Sequence, residues 1–150
     1  MVTLTTKPCS GYYDGTDDNV QFEFKNGYTS NPRETCMTDF LGKDGSEHVA
    51  GRTDRWLGSK LMSCSKDRFR PIESLEFRFH TNTWGWNLHH DQVKFCQVVA
   101  TFGSPGVPGY SKWEWTGAST NVHYDGYYNT NSRGNWNTMR QIAGTTMTLG

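Results

Sequence analysis

The stretch Gly11-Tyr12-Tyr13-Asp14-Gly15-Thr16-Asp17-Asp18-Asn19-Val20 runs directly into Gln21-Phe22-Glu23-Phe24. Apolar and polar residues alternate in the second part, which predicts a β-strand with one buried face. The first part is a polar turn, in which glycines permit positive φ angles and close approach of the backbone to a ligand. Its three aspartates carry the hard oxygen atoms that calcium prefers. The alternative is a solvated hairpin turn, because Asp, Asn and Gly are ordinary turn residues.

Further strands are predicted on both sides of this stretch. Leu75-Glu76-Phe77-Arg78-Phe79 alternates in the same way and predicts a second half-buried strand. Residues 93–102 are apolar enough to predict a strand that is buried on much of both faces. No segment has convincing helical periodicity, so the pattern predicts an all-β sandwich. Shorter strand-like pieces lie at residues 2–6, 35–41, 112–115, 121–124 and 145–149.

Composition narrows the classes of function. The 150 residues fit one domain, and 15 basic and 15 acidic side chains give a net charge of zero. Nucleic-acid binding needs a basic patch or stripe, so no nucleic-acid partner is expected. Aromatic residues make up 14% of the chain, and together with abundant Gly and Asn they favour strands and turns. No apolar run is long enough to span a membrane.

The four cysteines, Cys9, Cys36, Cys64 and Cys96, are scattered without a C-x-x-C pair. Zinc sites usually bring their ligands in close pairs, so the spacing indicates two disulfides and a secreted protein. The alternative is four buried, reduced thiols. Cys36 and Cys64 flank neighbouring elements around the second polar loop, which predicts the disulfide Cys36–Cys64. Among the pairings that four cysteines allow, Cys9–Cys96 then completes the set.

Three stretches together resemble one family, the PLAT (LH2) domains of lipoxygenases, lipases and polycystins. Gly15-Thr16-Asp17-Asp18-Asn19-Val20 before an alternating strand resembles the family's G-T-D-x-N-V motif. Phe79-His80-Thr81-Asn82-Thr83-Trp84-Gly85-Trp86-Asn87-Leu88, followed by Val93, resembles its H-[DN]-N…G-W-x-L-x-x-V segment. Trp56-Leu57-Gly58, followed by Leu61, falls where the family has an aromatic and leucine strand. The cysteines, the stretch His89-His90-Asp91 and the part beyond Trp115 depart from the family pattern.

The resemblance implies an antiparallel two-sheet β-sandwich of PLAT/LH2 (C2-like) type, with about eight strands and alternate residues filling the interior. It assigns residues 1–116 to the sandwich. Residues 117–150 are expected to form a Trp/Tyr/Asn-rich C-terminal β/loop extension that packs on the same domain. The core candidates are Phe22, Phe24, Trp56, Leu61, Leu75, Phe77, Phe79, Trp86, Val93 and Phe95.

The resemblance also implies a calcium site between the aspartate-rich loop and the loop before Gly85-Trp86. The first loop provides a backbone carbonyl and carboxylates, and the second provides an amide oxygen. Calcium takes about six to eight oxygen ligands, so further acidic residues and water molecules are expected to complete the site. The predicted ligands are Asp14, Gly15, Asp17, Asp18, Asn82 and Asp44, with Asp54 as an alternative to Asp44.

Aromatic side chains in or near polar loops form a second candidate surface. Tyr12, Tyr13 and Trp84 are expected at the same end of the sandwich as the calcium. Amphipathic rings of this kind suit a membrane interface, and they also stack on sugar rings. The other aromatic candidates, about half of which are expected to pack against the sandwich, are Tyr110, Trp115, Tyr124, Tyr127, Tyr128 and Trp136.

His89, His90 and Asp91 form the most enzyme-like stretch. In an alternating strand the two histidines point to opposite faces, so they are interpreted as ordinary strand-edge histidines. The chain has no G-x-S-x-G, H-E-x-x-H or phosphate-loop motif and is not expected to be an enzyme. We expect a secreted, non-catalytic module that docks on a lipid surface or a protein partner with the help of calcium. A carbohydrate-binding module or lectin and a structural domain of the extracellular matrix are the alternatives.

Overall fold

The computed structural model of the chain describes residues 2–11, 15, 19–27, 35–42, 48–58, 61, 64, 72–82, 93–120 and 135–144. Of residues 81, 82 and 120 it describes the backbone alone. The described residues form nine β-strands and contain no α-helix. The strands make two antiparallel sheets whose inner faces share one hydrophobic core. The predicted all-β sandwich is therefore confirmed.

The first sheet consists of β1 (Val2–Pro8), β4 (Asp54–Trp56), β6 (Lys94–Phe102), β7 (Ser111–Thr120) and β9 (Arg140–Gly144). Its strand order is β4-β1-β6-β7-β9. Along β1, every second residue is buried, as the alternation of Val2, Leu4 and Thr6 with polar neighbours requires. β1, β6 and β7 each lie between two other strands, and β6 is the middle strand of the five.

The second sheet consists of β2 (Asn19–Gly27), β3 (Thr35–Met37), β5 (Ser74–Asn82) and β8 (Asn137–Thr138). Its strand order is β3-β2-β5-β8. In the central pair, Phe22 is opposite Phe79 and Phe24 is opposite Phe77, so the two alternating stretches of the sequence place their aromatic rings on one face.

Phe95 of β6 joins the two sheets at the centre of the core. Its ring centroid lies 5.3 Å from that of Phe22 and 5.0 Å from that of Phe79. A second contact between the sheets places Trp115 edge-on to Phe77 at 5.2 Å. Each buried phenylalanine of this kind contributes on the order of 2–3 kcal/mol through its removal from water. All predicted core residues are buried except Trp86, which lies outside the described residues.

The prediction that residues 93–102 are buried on much of both faces is wrong for the outer face of β6. Gln97, Val99 and Thr101 are partly exposed there, because no third layer of described residues covers the five-stranded sheet. A β-bulge at Cys96 shifts the register between Phe95 and Gln97. The extra residue lets Phe95 and Val98 both face the core although they are three positions apart.

The described part of the C-terminal extension adds one strand to each sheet. β8 pairs with β5, and β9 pairs with β7, while Met139 between them is buried in the core. Gly144 packs so closely on Tyr110 and Ser111 that a Cβ atom would overlap their backbone. β7 itself continues to Thr120, beyond the expected boundary at residue 116. The strand-like pieces at 121–124 and 145–149 lie outside the described residues.

The two ends of the sandwich differ in the strand termini that they contain. At the upper end β1 finishes at Pro8, β5 finishes at Asn82, β2 begins at Asn19 and β6 begins at Lys94. The lower end is the other one, where residues 103–110 connect β6 to β7.

Candidate functional site

Both loops of the predicted calcium site leave the sandwich from one paired position at the upper end. In the register of β2 and β5, Asn19 lies directly opposite Asn82. Paired residues of an antiparallel sheet have Cα atoms about 4.5–5.5 Å apart. Asp18 precedes Asn19 in the sequence, and Thr83 follows Asn82. The aspartate-rich loop therefore enters β2 beside the point at which the second loop leaves β5.

Most of the predicted site residues lie outside the described part of the chain, and their positions stay predictions. Within the predicted ligand set, the structure describes Gly15 and the backbone of Asn82. The residues outside it are the ligand candidates Asp14, Asp17, Asp18 and Asp44, the docking candidates Tyr12, Tyr13 and Trp84, the aromatic candidates Tyr124, Tyr127 and Tyr128, and the stretch His89, His90 and Asp91.

Gly15 packs against the segment that follows the second polar loop. A Cβ atom added to Gly15 would lie 2.5 Å from the carbonyl oxygen of His48 and 2.8 Å from the backbone nitrogen of Ala50. Both distances are too short for a real side chain, so glycine is required here for a close approach of two backbones. This contact joins the aspartate-rich loop to the segment that comes just after Asp44 in the sequence.

His48 anchors that segment in the core. Its side chain is completely buried, and Nε2 lies 2.8 Å from the carbonyl oxygen of Leu41, within hydrogen-bonding distance. Its ring centroid is 5.4 Å from that of Trp56 and 5.7 Å from that of Phe95, in the five-stranded sheet. Leu41 in turn bridges to Val20 of β2. His48 thus connects the two sheets directly below the candidate site.

The disulfide Cys9–Cys96 ties the same end together, with Cα atoms 4.9 Å apart. The backbone nitrogen of Cys9 also donates to the carbonyl oxygen of Lys94, at 2.8 Å. Gly51 donates to the carbonyl oxygens of Pro8 and Cys9 at 3.1 and 3.2 Å. The chain before the aspartate-rich loop is therefore bonded both to the start of β6 and to the end of the second polar loop.

The second disulfide is Cys36–Cys64, whose Cα atoms are 5.0 Å apart, and the structure has no free cysteine. Both of its cysteines belong to the buried core. The two disulfides are the pairs expected from the sequence.

Asp54, the alternative ligand, already binds a cation within the protein. Its side chain is 1% exposed, and its two carboxylate oxygens lie 3.1 and 3.2 Å from Nε and a terminal nitrogen of Arg52. The hydrogen bond from the terminal nitrogen, together with the positive charge of the guanidinium, compensates the buried carboxylate. Asp54 would have to give up this partner to bind calcium, so it is a poor ligand candidate and a good structural one.

Two of the other aromatic candidates pack on the sandwich. Trp115 lies against the core, whereas Trp136 lies on the outer face of the four-stranded sheet. Lys25 Nζ is 4.2 Å and Arg78 Cζ is 4.3 Å from the centroid of the Trp136 ring, which are distances of cation–π contacts. These two tryptophans hold β7 and the C-terminal segment in place, and neither is a free docking ring.

Within the described residues, no group of three or more His, Cys, Asp or Glu side chains is arranged to hold a metal ion. The same part of the chain has no helix of the length and hydropathy that crossing a membrane requires. The chain matches no protein-family model, and comparison with curated proteins finds no relative.

The sequence did not single out His48 or Leu41 as parts of the upper end. His48 sits in a stretch of polar and small residues that resembles a solvated loop, and a lone histidine carries no signal of burial. Leu41 is the last residue of the strand-like piece at 35–41, and nothing in the sequence indicates its contact with His48. The pairing of Arg52 with Asp54 had a usable signal, because residues two apart in an extended chain point to the same side.

Proposed function

We propose that the chain is a non-catalytic extracellular binding module of PLAT type, which docks on a lipid surface or a protein partner with the help of calcium. The two disulfides are compatible with an extracellular protein, since disulfides persist in oxidising compartments. The β-sandwich is compatible with a module that binds through its loops, because rigid strands support functional loops at their ends.

The register of Asn19 and Asn82 is the observation that carries the proposal. It brings the strand ends next to Asp18 and Thr83 together, as a shared ligand site requires. The contact of Gly15 with His48 and Ala50 adds the segment after Asp44 to the same neighbourhood. Described residues that flank three stretches with candidate oxygen ligands therefore lie at one end of the sandwich, which supports the proposal.

A cation between these stretches would offset the negative charge that their aspartates carry. Asp17 and Asp18 are neighbours in the sequence, and two adjacent carboxylates repel each other unless a positive charge offsets them. A bound calcium ion removes that repulsion and joins the loops. On this proposal, Tyr12, Tyr13 and Trp84 then present their rings to a surface, where amphipathic aromatics bind the interfacial region of a bilayer.

Calcium titration of the melting temperature tests the cation. At ten times its Kd, a ligand stabilises the folded state by about 1.4 kcal/mol. For a chain of 150 residues, this raises the melting temperature by roughly 3–6 °C. The variant Asp17→Asn/Asp18→Asn is expected to lose the shift. Glu73→Gln/Glu76→Gln removes two charges near the lower end and is expected to keep it.

A parent protein whose melting temperature does not respond to millimolar calcium contradicts the calcium part of the proposal. So does an equal response in the Asp17→Asn/Asp18→Asn variant. Magnesium at the same concentration is the matched ionic control, because magnesium demands a smaller, octahedral site.

Co-sedimentation with phosphatidylcholine–phosphatidylserine vesicles tests the docking surface. The proposal predicts more bound protein with calcium than with a chelator, and less binding by Tyr12→Ser/Tyr13→Ser/Trp84→Ser. Binding to a glycan array without binding to vesicles favours a carbohydrate-binding module instead. No binding to either favours a structural matrix domain or a protein partner.

A further inference from the structure

The outer face of the five-stranded sheet carries charge of mainly one sign. In the register of the strands, one continuous row crosses all five of them and consists of Arg55, Thr5, Val99, Glu114 and Arg140. Each of these residues is next in sequence to a residue of the buried core, so the row lies on the opposite, outer face. Adjacent strands are about 4.8 Å apart, so the row is about 19 Å long, with an arginine at each end.

Three lysines flank this row on the same face. Lys7 lies two residues after Thr5 on β1, and Lys112 lies two residues before Glu114 on β7, so the alternation of the strands places both beside the row. Lys94 begins β6 nearer the upper end and precedes a core residue. The strands of this sheet thus present five cations and one carboxylate outward, a net charge of +4 in a chain whose net charge is zero. The five cations are named the basic face and are Lys7, Arg55, Lys94, Lys112 and Arg140.

The cations of the basic face differ in their partners from those on the outer face of the four-stranded sheet. There, Arg78 pairs with Glu23 at 2.8 Å, and Lys25 pairs with Glu76 at 3.1 Å. Both of those cations also contact the ring of Trp136. The ion pairs between described residues include no cation of the basic face, whose side chains are exposed or partly exposed. The charge of the basic face is therefore open to an anionic ligand.

The side chains between these cations fit a polyanion that is rich in hydroxyl groups. Threonine and glutamine side chains lie between and beside the cations on the same face, namely Thr3, Thr5, Gln97, Thr101 and Thr116. Their hydroxyl and amide groups suit sugar hydroxyls, whereas ammonium and guanidinium groups form charge-assisted hydrogen bonds with oxyanions such as sulfate. Because a β-sheet is twisted, a flexible linear chain follows this face more closely than a planar bilayer does. The two disulfides are compatible with the extracellular space, in which acidic polysaccharides are common.

We infer that the basic face binds a linear sulfated polysaccharide and is a second docking surface, separate from the loops of the upper end. This surface depends neither on calcium nor on the proposed function, because every residue of the basic face belongs to a described strand. Sulfate groups that are joined in one chain reach several cations together, so individually weak contacts add up through their high effective concentration. Each contacted cation replaces a counterion of the polyanion, and binding is therefore expected to weaken steeply as salt rises.

Isothermal titration with dextran sulfate tests the basic face, with uncharged dextran as the matched probe and a calcium chelator in both. We expect the chain to bind dextran sulfate and not dextran. Over a series of NaCl concentrations, log Kd is expected to rise with log [NaCl] with a slope of about 3–5, as four or five contacted cations predict. Failure to bind dextran sulfate at low salt overturns the inference, and so does equal binding of uncharged dextran.

Lys7→Gln/Lys112→Gln removes two cations of the basic face and is expected to weaken the binding of dextran sulfate about tenfold. The salt slope is expected to fall by about two, which a merely structural effect would not produce. Lys25→Gln/Arg78→Gln removes the same charge from the other sheet, where both cations already have partners, and is expected to stay within about twofold of the parent. Urea unfolding checks that both variants are folded under the assay conditions. Equal weakening in the two variants traces binding to net charge and overturns the inference.

Glu114→Gln gives a change in the opposite direction. Glu114 is the one carboxylate among the outward side chains of the described strands of this sheet, and it lies opposite Arg140. Its neutralisation removes a repulsion from sulfate groups, so the variant is expected to bind dextran sulfate about threefold more tightly than the parent. Glu76→Gln on the other sheet makes the same change in net charge and is expected to leave the affinity within about twofold. Unchanged binding by Glu114→Gln, or equal tightening by both variants, contradicts a ligand that lies across the row.

Anionic vesicles and single-stranded DNA are the competing partners for the basic face. If phosphatidylcholine–phosphatidylserine vesicles or DNA bind more tightly than dextran sulfate in the chelator, and Lys7→Gln/Lys112→Gln weakens that binding, the polysaccharide is the wrong partner and the inference is overturned. The proposed function is judged separately, by the calcium titration and by Tyr12→Ser/Tyr13→Ser/Trp84→Ser, which leave the basic face unchanged. If those tests are negative while dextran sulfate binds as expected, the proposed function fails and the basic face remains a docking surface.

Discussion

The disulfides Cys9–Cys96 and Cys36–Cys64 stabilise different parts of the sandwich. Cys9 follows the last residue of β1, and Cys96 occupies the bulge of β6, so their bond joins two strand ends beneath the candidate site. Cys36 lies opposite Phe24, past the midpoint of β2, and its bond to Cys64 is buried within the core. One disulfide supports the base of the loops, and the other supports the packing between the sheets.

This difference shows how a small sandwich can separate its main source of stability from the end that carries the candidate site. The phenylalanines around Phe95 belong to the strands of both sheets and pack mainly on one another, so most of this apolar burial lies within the strands. The upper end instead combines covalent and polar interactions with close backbone packing. These are the disulfide Cys9–Cys96, the hydrogen bond of His48 and the close contact of Gly15. Hydrogen bonds and covalent bonds of this kind fix the positions of the backbone segments that they join, whereas apolar burial mainly adds stability.

Removal of each disulfide is expected to produce the largest effects. The sequence separations are 87 residues for Cys9–Cys96 and 28 for Cys36–Cys64. By chain entropy, Cys9→Ala/Cys96→Ala loses about 4–5 kcal/mol of unfolding free energy, and Cys36→Ala/Cys64→Ala loses about 3–4 kcal/mol. The buried sulfur atoms of the second pair add a packing loss, so the two totals are expected to be similar. Urea unfolding measures both.

If calcium binds as proposed, its affinity then distinguishes the two variants. Measured on the folded fraction, the affinity is expected to fall when the disulfide at the upper end is absent and to persist when the core disulfide is absent. A fall in both variants alike contradicts the division between the ends. It would mean that the core and the site respond as one unit.

Removal of one partner of an ion pair is expected to have an intermediate effect on the free energy of unfolding. This effect, too, is expected to differ between the two parts of the sandwich. Arg52→Met leaves the carboxylate of Asp54, which is 1% exposed, without its guanidinium, and we expect a loss of about 3 kcal/mol. Glu76→Gln breaks the pair with Lys25 nearer the lower end, where the side chains are 28% and 17% exposed. There we expect at most about 1 kcal/mol, because solvent screens the pair. Equal losses in urea unfolding would contradict the role assigned to burial.

The alternation of the sequence predicted the core because packing against one sheet face repeats every two residues. Phe22 and Phe24 of β2, and Leu75, Phe77 and Phe79 of β5, all face the interior as expected. The bulge at Cys96 broke the same rule, since one inserted residue moves every following side chain to the other face. Periodicity carries no information about where such an insertion falls.

The upper end was predictable only in part. The resemblance brought the two loops to one end, and the structure pairs the strand ends at Asn19 and Asn82. The resemblance did not reveal His48, whose burial depends on contacts with Trp56 and Phe95 from distant parts of the chain. Nor did the short strands β8 and β9 have a signal of their own, because pairing with β5 and β7 decides their conformation.

The smallest expected effect concerns the exposed apolar residues of the lower end. Leu57 and Val107 are each 50% exposed, and residues 103–110 around Val107 carry no charge, so this end is the rival docking surface. If docking uses the upper end, Leu57→Ser/Val107→Ser changes the unfolding free energy by less than about 0.5 kcal/mol and leaves vesicle binding unchanged. Tyr12→Ser/Tyr13→Ser/Trp84→Ser provides the comparison in the same co-sedimentation assay. Weaker binding by the lower-end variant alone would transfer the docking surface to residues 103–110, and the two ends would then exchange their roles.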